Sequence, residues 1–151
     1  MMSGESQAAL DAADRLFTDC NIVGVVSDLG GTFFAFPTWR LQVLLKFGMF
    51  AEVLEAGQPE PTGSELLDAY MAAMFFFARS LAEASTGRCI ESLDDRDRFL
   101  ALAANQTLRD VRLFMIHVSD LLDISSSILN ARLCRLCDTS ESFDHVCPWR
   151  F

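Results

Sequence analysis

Residues 69–78 read Ala-Tyr-Met-Ala-Ala-Met-Phe-Phe-Phe-Ala, ten consecutive positions without a charge. At 3.6 residues per turn such a run covers every heading of a helix, so water is kept off it only if other elements surround it. A membrane cannot do this, because a spanning helix needs about 18–20 apolar residues. Neither this run nor Val111–Val118 reaches that length. The helix from Glu65 to Ala84 is therefore expected at the centre of a bundle built by the rest of the chain. Phe75, Phe76 and Phe77 take three different headings, and at most two can face a monomer core. This helix is thus expected to offer an apolar face to a partner as well, including a second copy of the chain. Thirteen Phe against one Tyr and two Trp favour a dry core or a dry interface, since Phe needs no polar partner when buried.

The rest of the chain supplies covering helices. Residues 1–7 read as a flexible tail. Ala8 to Cys20 carries Leu10, Ala13, Leu16 and Phe17 at helical spacing, with Asp11, Asp14 and Asp19 opposite. Over residues 22–36 a strand, a hairpin and a helix are all open. Pro37 ends what precedes it, Thr38 is a candidate cap, and Trp39 to Ala56 reads as one largely buried helix stopped by Gly57. Gln58-Pro59-Glu60-Pro61-Thr62-Gly63 is a linker. Ser64 then caps the central helix without a full capping box, because Leu67 stands where Glu would. Thr86-Gly87-Arg88 breaks that helix, and Ser92 begins another with Asp94 and Asp95 in its first turn. Leu108 to Cys137 reads as a last long helix burying Val111, Phe114, Met115, Val118, Leu121, Leu122 and Ile128. Residues 139–151 form a C-terminal tail, packed back or clipped by a metal. The fold class is all-α, an irregular bundle of five or six helices spanning residues 8–138.

Charge and cysteine content narrow the function. Twelve basic against 21 acidic residues leave a net charge of −9, which disfavours nucleic acid and anionic membranes, both of which need a basic surface. Eleven of the twelve basic residues are Arg and only Lys46 is Lys, a bias that suits GC-rich coding or a protein that avoids ubiquitin acceptors. Met1 to Gln7 lacks the basic-then-apolar layout of a signal peptide. The five cysteines accordingly read as reduced thiols of an intracellular, most simply cytoplasmic, protein.

Two short strings resemble known families. Asp28-Leu29-Gly30-Gly31-Thr32, after the apolar run Ile22–Val26, resembles the first phosphate motif of the hexokinase and actin-like ATPase superfamily. That resemblance implies a metal held by Asp28 through water, and a nucleotide lined by Gly30, Gly31 and Thr32. It covers eleven residues of a family built from two much longer lobes. Trp39-Arg40-Leu41 followed by Val43-Leu44-Leu45-Lys46-Phe47-Gly48 resembles the first homology box of the Bcl-2 family, with the Gly between Trp39 and Arg40 missing. It implies a buried helix beside a hydrophobic groove, with Arg40 meeting an acidic residue of a bound amphipathic helix.

Two further constellations invite chemistry. Cys134, Cys137, His145 and Cys147 supply the soft ligands of a structural zinc clip. Against this, Cys134 and Cys137 at i and i+3 can simply face one core. His117, with Asp120 three residues on, lacks an evident nucleophile and reads as a helix-contact histidine. Glu91, Asp94, Asp95 and Asp97, alternating with Arg96 and Arg98, read as a solvated helix start. Trp149-Arg150-Phe151 reads as a tail docking on its own bundle. The expectation that follows is a non-enzymatic interaction or adaptor domain without a required cofactor. It docks a protein partner, such as an amphipathic helix or a second copy, through Trp39, Arg40, Phe47, Phe75, Phe76 and Phe77.

Overall fold

Ser64 opens the central helix as its spacing predicts: its Oγ accepts the Leu67 N–H at 3.4 Å. In this computed structural model, which describes residues 4–19, 38–113, 116–137 and 147, that helix runs Glu65–Ser85. The described helices in chain order are α1 (Gly4–Asp19), α2 (Trp39–Lys46), α3 (Phe50–Glu55), α4 (Glu65–Ser85), α5 (Cys89–Ala103), α6 (Gln106–Arg109) and α7 (Val118–Leu136). Between α6 and α7 lies one short antiparallel ladder, β1 (Arg112–Leu113) with β2 (Ile116–His117), in which Arg112 pairs with His117. The all-α bundle is what the chain adopts.

Helix α4 touches α2, α3, α5, α6 and α7, the central place that its all-round apolar surface demands. It also divides the interior. Met71, Met74 and Phe77 join Phe99, Leu108, Leu122, Leu129 and Leu133 in the larger core between α4, α5, α6 and α7. Ala78 and Ala82, whose small side chains let neighbours come close, face Leu10, Leu44 and Val53 of α1, α2 and α3 in a second core. The α4–α5 seam is closed by reciprocal hydroxyl bonds. Ser80 Oγ donates to the Ser92 carbonyl at 2.8 Å, and Ser92 Oγ donates to the Ser80 carbonyl at 2.7 Å. The linker is held from the helix side, because Asp68 Oδ1 accepts both the Thr62 N–H and its hydroxyl at 2.7 Å. Those bonds keep the Asp68 carboxyl below its usual range.

Several element boundaries differ from expectation. Helix α1 starts at Gly4 and buries Ser6, so the tail expected over residues 1–7 is helical from position 4. The single helix expected over Trp39–Ala56 is two. Gly48 sits at φ +68°, where the Gly48 N–H reaches the Leu45 carbonyl and the Met49 N–H the Leu44 carbonyl, a closed C-terminal turn. Thr38 gives α2 no side-chain cap; its Oγ1 instead accepts from Gln42 Nε2, and it adjoins the buried Tyr70 hydroxyl, which burial pushes up to about 12. Gly87, at φ +80°, repeats the left-handed turn, with bonds from Gly87 N to Ala84 O and from Arg88 N to Glu83 O. That tight reversal starts α5 at Cys89, so Ser92 lies buried inside the helix and Glu91 is its first-turn acid.

The long helix expected from Leu108 is interrupted. Helix α6 ends at Arg109, the hairpin follows, and α7 restarts with its phase set by Val118, Leu122, Ser125, Leu129 and Leu133. In that phase Ile128 is exposed, not buried. The side chains of Leu16 and Phe17, the stretch 22–36, Phe114 and Met115, and the tail except Cys147 lie outside the described residues.

Four cysteines are paired. Cys89 bonds Cys137 with Cα atoms 5.6 Å apart, and Cys134 bonds Cys147 at 5.5 Å. The reduced-thiol expectation is thereby corrected. The first bridge ties the start of α5 to the end of α7 across 48 residues, the second brings Cys147 back onto α7 across 13.

Two stability measurements follow. Breaking Cys89–Cys137 by paired Ser substitution should cost about 4 kcal/mol and breaking Cys134–Cys147 about 3, scaling with loop length, read by denaturant unfolding under non-reducing conditions. Gly87→Ala has open space for its Cβ, so its cost is the backbone term alone, about 1–2 kcal/mol. Gly87→Asn should cost less, and equal costs for the two would show that φ is not the cause.

Candidate functional site

Helix α7 carries two apolar stripes. One is the buried set that fills the larger core. The other is Leu121, Ile124, Ile128 and Ala131, which recur at 3-4-3 spacing, with Arg135 four residues further on. That is the heptad rhythm of a helix-pairing seam. Leu121 packs partly against the core, whereas Ile124 is 56% and Ile128 46% exposed. A helix that has already satisfied one core thus presents a second line of large aliphatic side chains to solvent. Charge is graded along it: Asp120 and Asp123 stand in the first two turns, Arg132 and Arg135 in the last two. Asp123 is held by Arg109 of α6 through two parallel bonds of 3.0 Å, which lower the Asp123 carboxyl and raise the Arg109 guanidinium. Arg96, nearly buried, reaches from α5 to the Asn130 side chain at 2.7 Å and fixes the middle of α7.

A second apolar surface belongs to α2. Trp39, Val43 and Phe47 follow at four-residue intervals, with Trp39 36% and Phe47 39% exposed and Val43 half-buried. Trp39, Gln42, Val43 and Lys46 line an open depression of about 270 Å³. Arg40 sits beside it and pairs with Asp14 of α1 at 3.2 Å, both side chains half exposed. The helix of the box buries Leu44 in the second core but leaves Trp39, Arg40 and Phe47 at the surface, and Gly48 ends it, so it is half-buried and not the buried helix that the Bcl-2 resemblance implies.

The three phenylalanines behave differently from expectation. Phe75 and Phe77 are buried, and Phe76 is half-buried, edge-on to Phe75 at 5.5 Å with the Arg98 guanidinium 5.5 Å over its ring. Arg79 stacks on Phe75 in the same manner. The chain thus buries Phe75 and Phe77 itself, because α4 has neighbours on most sides, and Arg98 covers part of Phe76. An exposed apolar face lies on α7 instead.

The arginines belong to an ionic knot between α4 and α5 in which the carboxylates are buried and the arginines remain partly exposed. Arg79 Nε holds Asp95 Oδ2 at 2.9 Å and its Nη2 holds Glu83 Oε1 at 3.3 Å, with Arg98 3.5 Å from Asp95 and Arg88 3.8 Å from Glu83. Asp95 is buried, so the expected solvated helix start holds for Asp94 and Asp97 but not for it. Glu83 is buried, and its Oε2 has no hydrogen-bond partner among the described residues. Burial first, and the Asp95 carboxylate second, push the Glu83 carboxyl above its usual range, against the pull of Arg79 and Arg88.

The zinc clip is also corrected. Cys134, Cys137 and Cys147 each contribute their sulfur to a disulfide, which leaves no thiolate to ligate a metal, and His145 lies outside the described residues. Among the described residues no group of three or more His, Cys, Asp or Glu is placed to hold a metal ion. His117 is half-buried at the N-terminal boundary of α7. Asp28, Gly30, Gly31, Thr32 and Cys20 lie outside the described residues. No described helix is long and apolar enough to cross a membrane. Comparison with protein-family models, with curated proteins and with solved structures finds no match for this chain.

The ionic knot makes stability depend on pH in a stated direction. A folded-state carboxyl raised above its unfolded value stabilises the fold below the ordinary glutamate range, and that contribution is lost as pH rises through the folded value. Unfolding free energy should therefore contain a component that declines with pH above about 4.5 and is missing in Glu83→Gln. Chemical denaturation of both proteins between pH 4 and 8 checks this, and parallel pH profiles would refute the assignment to Glu83.

Proposed function

We propose that this chain is a non-enzymatic protein–protein interaction domain whose docking face is the seam Leu121–Ile124–Ile128–Ala131 of α7. The Trp39–Val43–Phe47 stripe of α2 is a second, smaller apolar surface. The observation that carries the reading is the exposure of Ile124 and Ile128 at helix-pairing spacing on a helix whose other stripe already fills the core. Burying an aliphatic side chain of this size is worth roughly 1.5–3 kcal/mol, a stabilisation that the monomer forgoes and that docking would recover. The rigid mounting of α7 supports the same reading. Two disulfides, the Arg96–Asn130 bond and the Arg109–Asp123 pair fix the helix from both ends and the middle. A fixed helix loses little conformational freedom on binding. The disulfides also favour work in an oxidising compartment over the cytoplasm expected from the cysteines as thiols.

Folding and docking part company under substitution. Ile124→Ser and Ile128→Ser should each change unfolding free energy by less than about 0.5 kcal/mol, whereas Leu129→Ala, one position away but fully buried, should cost about 2–5 kcal/mol. A photo-crosslinking amino acid at 124 or 128 should give protein adducts in the native host, and the same probe at Asp94 should not. Unfolding costs for the isoleucines that match that of Leu129, or no adducts from either position, would overturn the reading.

A further inference from the structure

We propose that the occupant of the α7 seam is α7 of a second copy of this chain, lying antiparallel about a two-fold axis near Ile124 and Ile128. The inference rests on the reading of α7 as a docking face and adds the identity and direction of what covers it.

The argument comes from how charge is distributed along the seam. Its first turns carry Asp120, beside an Asp123 already paired with Arg109 of α6, and its last turns carry Arg132 and Arg135, with Ile124, Ile128 and Ala131 between. Asp120 is separated from Arg132 by about 18 Å and from Arg135 by about 22 Å of helix at 1.5 Å per residue, beyond a Debye length at physiological salt, so the two ends do not compensate one another within one molecule. Arg132 and Arg135 form no ion pair among the described residues, and Asp120 forms no direct one, feeling Arg109 only at longer range. A partner helix of a single charge sign would match one end of the seam and oppose the other. A second α7 running parallel would set Asp against Asp and Arg against Arg. A second α7 running antiparallel sets each acidic end against a basic end, and does so twice by symmetry. The middle of the seam then meets its own copy, so Ile124 and Ile128 are covered by Ile128 and Ile124 of the second molecule. Such a pairing is closed, with the same face used on both molecules, and stops at a dimer.

The test uses the full, disulfide-intact chain in sedimentation equilibrium across a concentration series at low and high salt. The expected result is a monomer–dimer equilibrium weakened by Ile128→Asp and by salt. Asp120→Arg alone, and Arg132→Glu with Arg135→Glu, should each raise Kd by about tenfold or more. The combination of all three should restore Kd towards the native value, because opposite ends again carry opposite charge. Thermal melting of each variant under the same conditions keeps loss of folding apart from loss of pairing, and Ile128→Ser serves in place of Ile128→Asp if the latter fails to fold. A monomer at every concentration overturns the proposal. So does a dimer indifferent to Ile128, or charge reversals that do not rescue one another. A purified monomer that still gives adducts to another protein from positions 124 and 128 overturns self-pairing alone, while no adducts and no dimer remove the docking reading with it.

Discussion

Helix α4 has no face that water can wet without cost, and the arrangement of the other helices answers that constraint. Bulky Met and Phe side chains on one side require the thick packing of α5, α6 and α7. Ala78 and Ala82 on the other side allow the close approach of the shorter α1, α2 and α3. The third side, where Phe75 and Phe76 would otherwise reach solvent, is closed by Arg79 and Arg98. Their guanidinium groups stand over the rings, 5.6 and 5.5 Å from the centroids, while their charges are met by Glu83 and Asp95. The aromatic cover and the ionic knot are therefore one feature, since each arginine is held in place by what it covers and by what it neutralises.

This arrangement leaves α7 with two apolar stripes of different standing. Its buried stripe belongs to the core. Its outer stripe contributes little to that core, yet it is aimed by a scaffold of covalent and ionic ties. The disulfides act chiefly by limiting the unfolded chain, but they also decide where the end of α7 stands relative to the start of α5.

Much of the bundle was legible in the sequence. The Ser64 cap, the Pro-rich linker, the centrality of residues 65–84 and the break at Gly87 are local signals, written in residue types whose backbone preferences dominate whatever surrounds them. The candidate site was less legible. Leu121, Ile124 and Ile128 show the heptad rhythm in the string itself, but a continuous helix from Leu108 also accounts for Val111, Val118 and Ile128 as one buried face. Within α7 the buried line Val118–Leu122–Ser125–Leu129–Leu133 settles on one heading, and Ile128, about 80° around the helix from Val118, stays outward. Spacing within a segment cannot reveal this, because apolar residues three and four apart occur on both sides of a boundary that is itself set by tertiary packing.

The cysteines show the same division. Their number and the i, i+3 spacing of Cys134 and Cys137 are sequence facts, compatible with thiols, zinc or disulfides. The choice among them depended on Cys89 being carried to the end of α7 by the α4–α5 reversal, across 48 residues that no local rule connects. By itself, the sequence determined an all-α chain with one helix that must be buried on all sides, because periodicity and capping are short-range. Tertiary structure alone decided which isoleucines face water, which carboxylate is buried beside which arginine, and which cysteines meet. Those are distances between segments, and the chain settles them only when its helices pack.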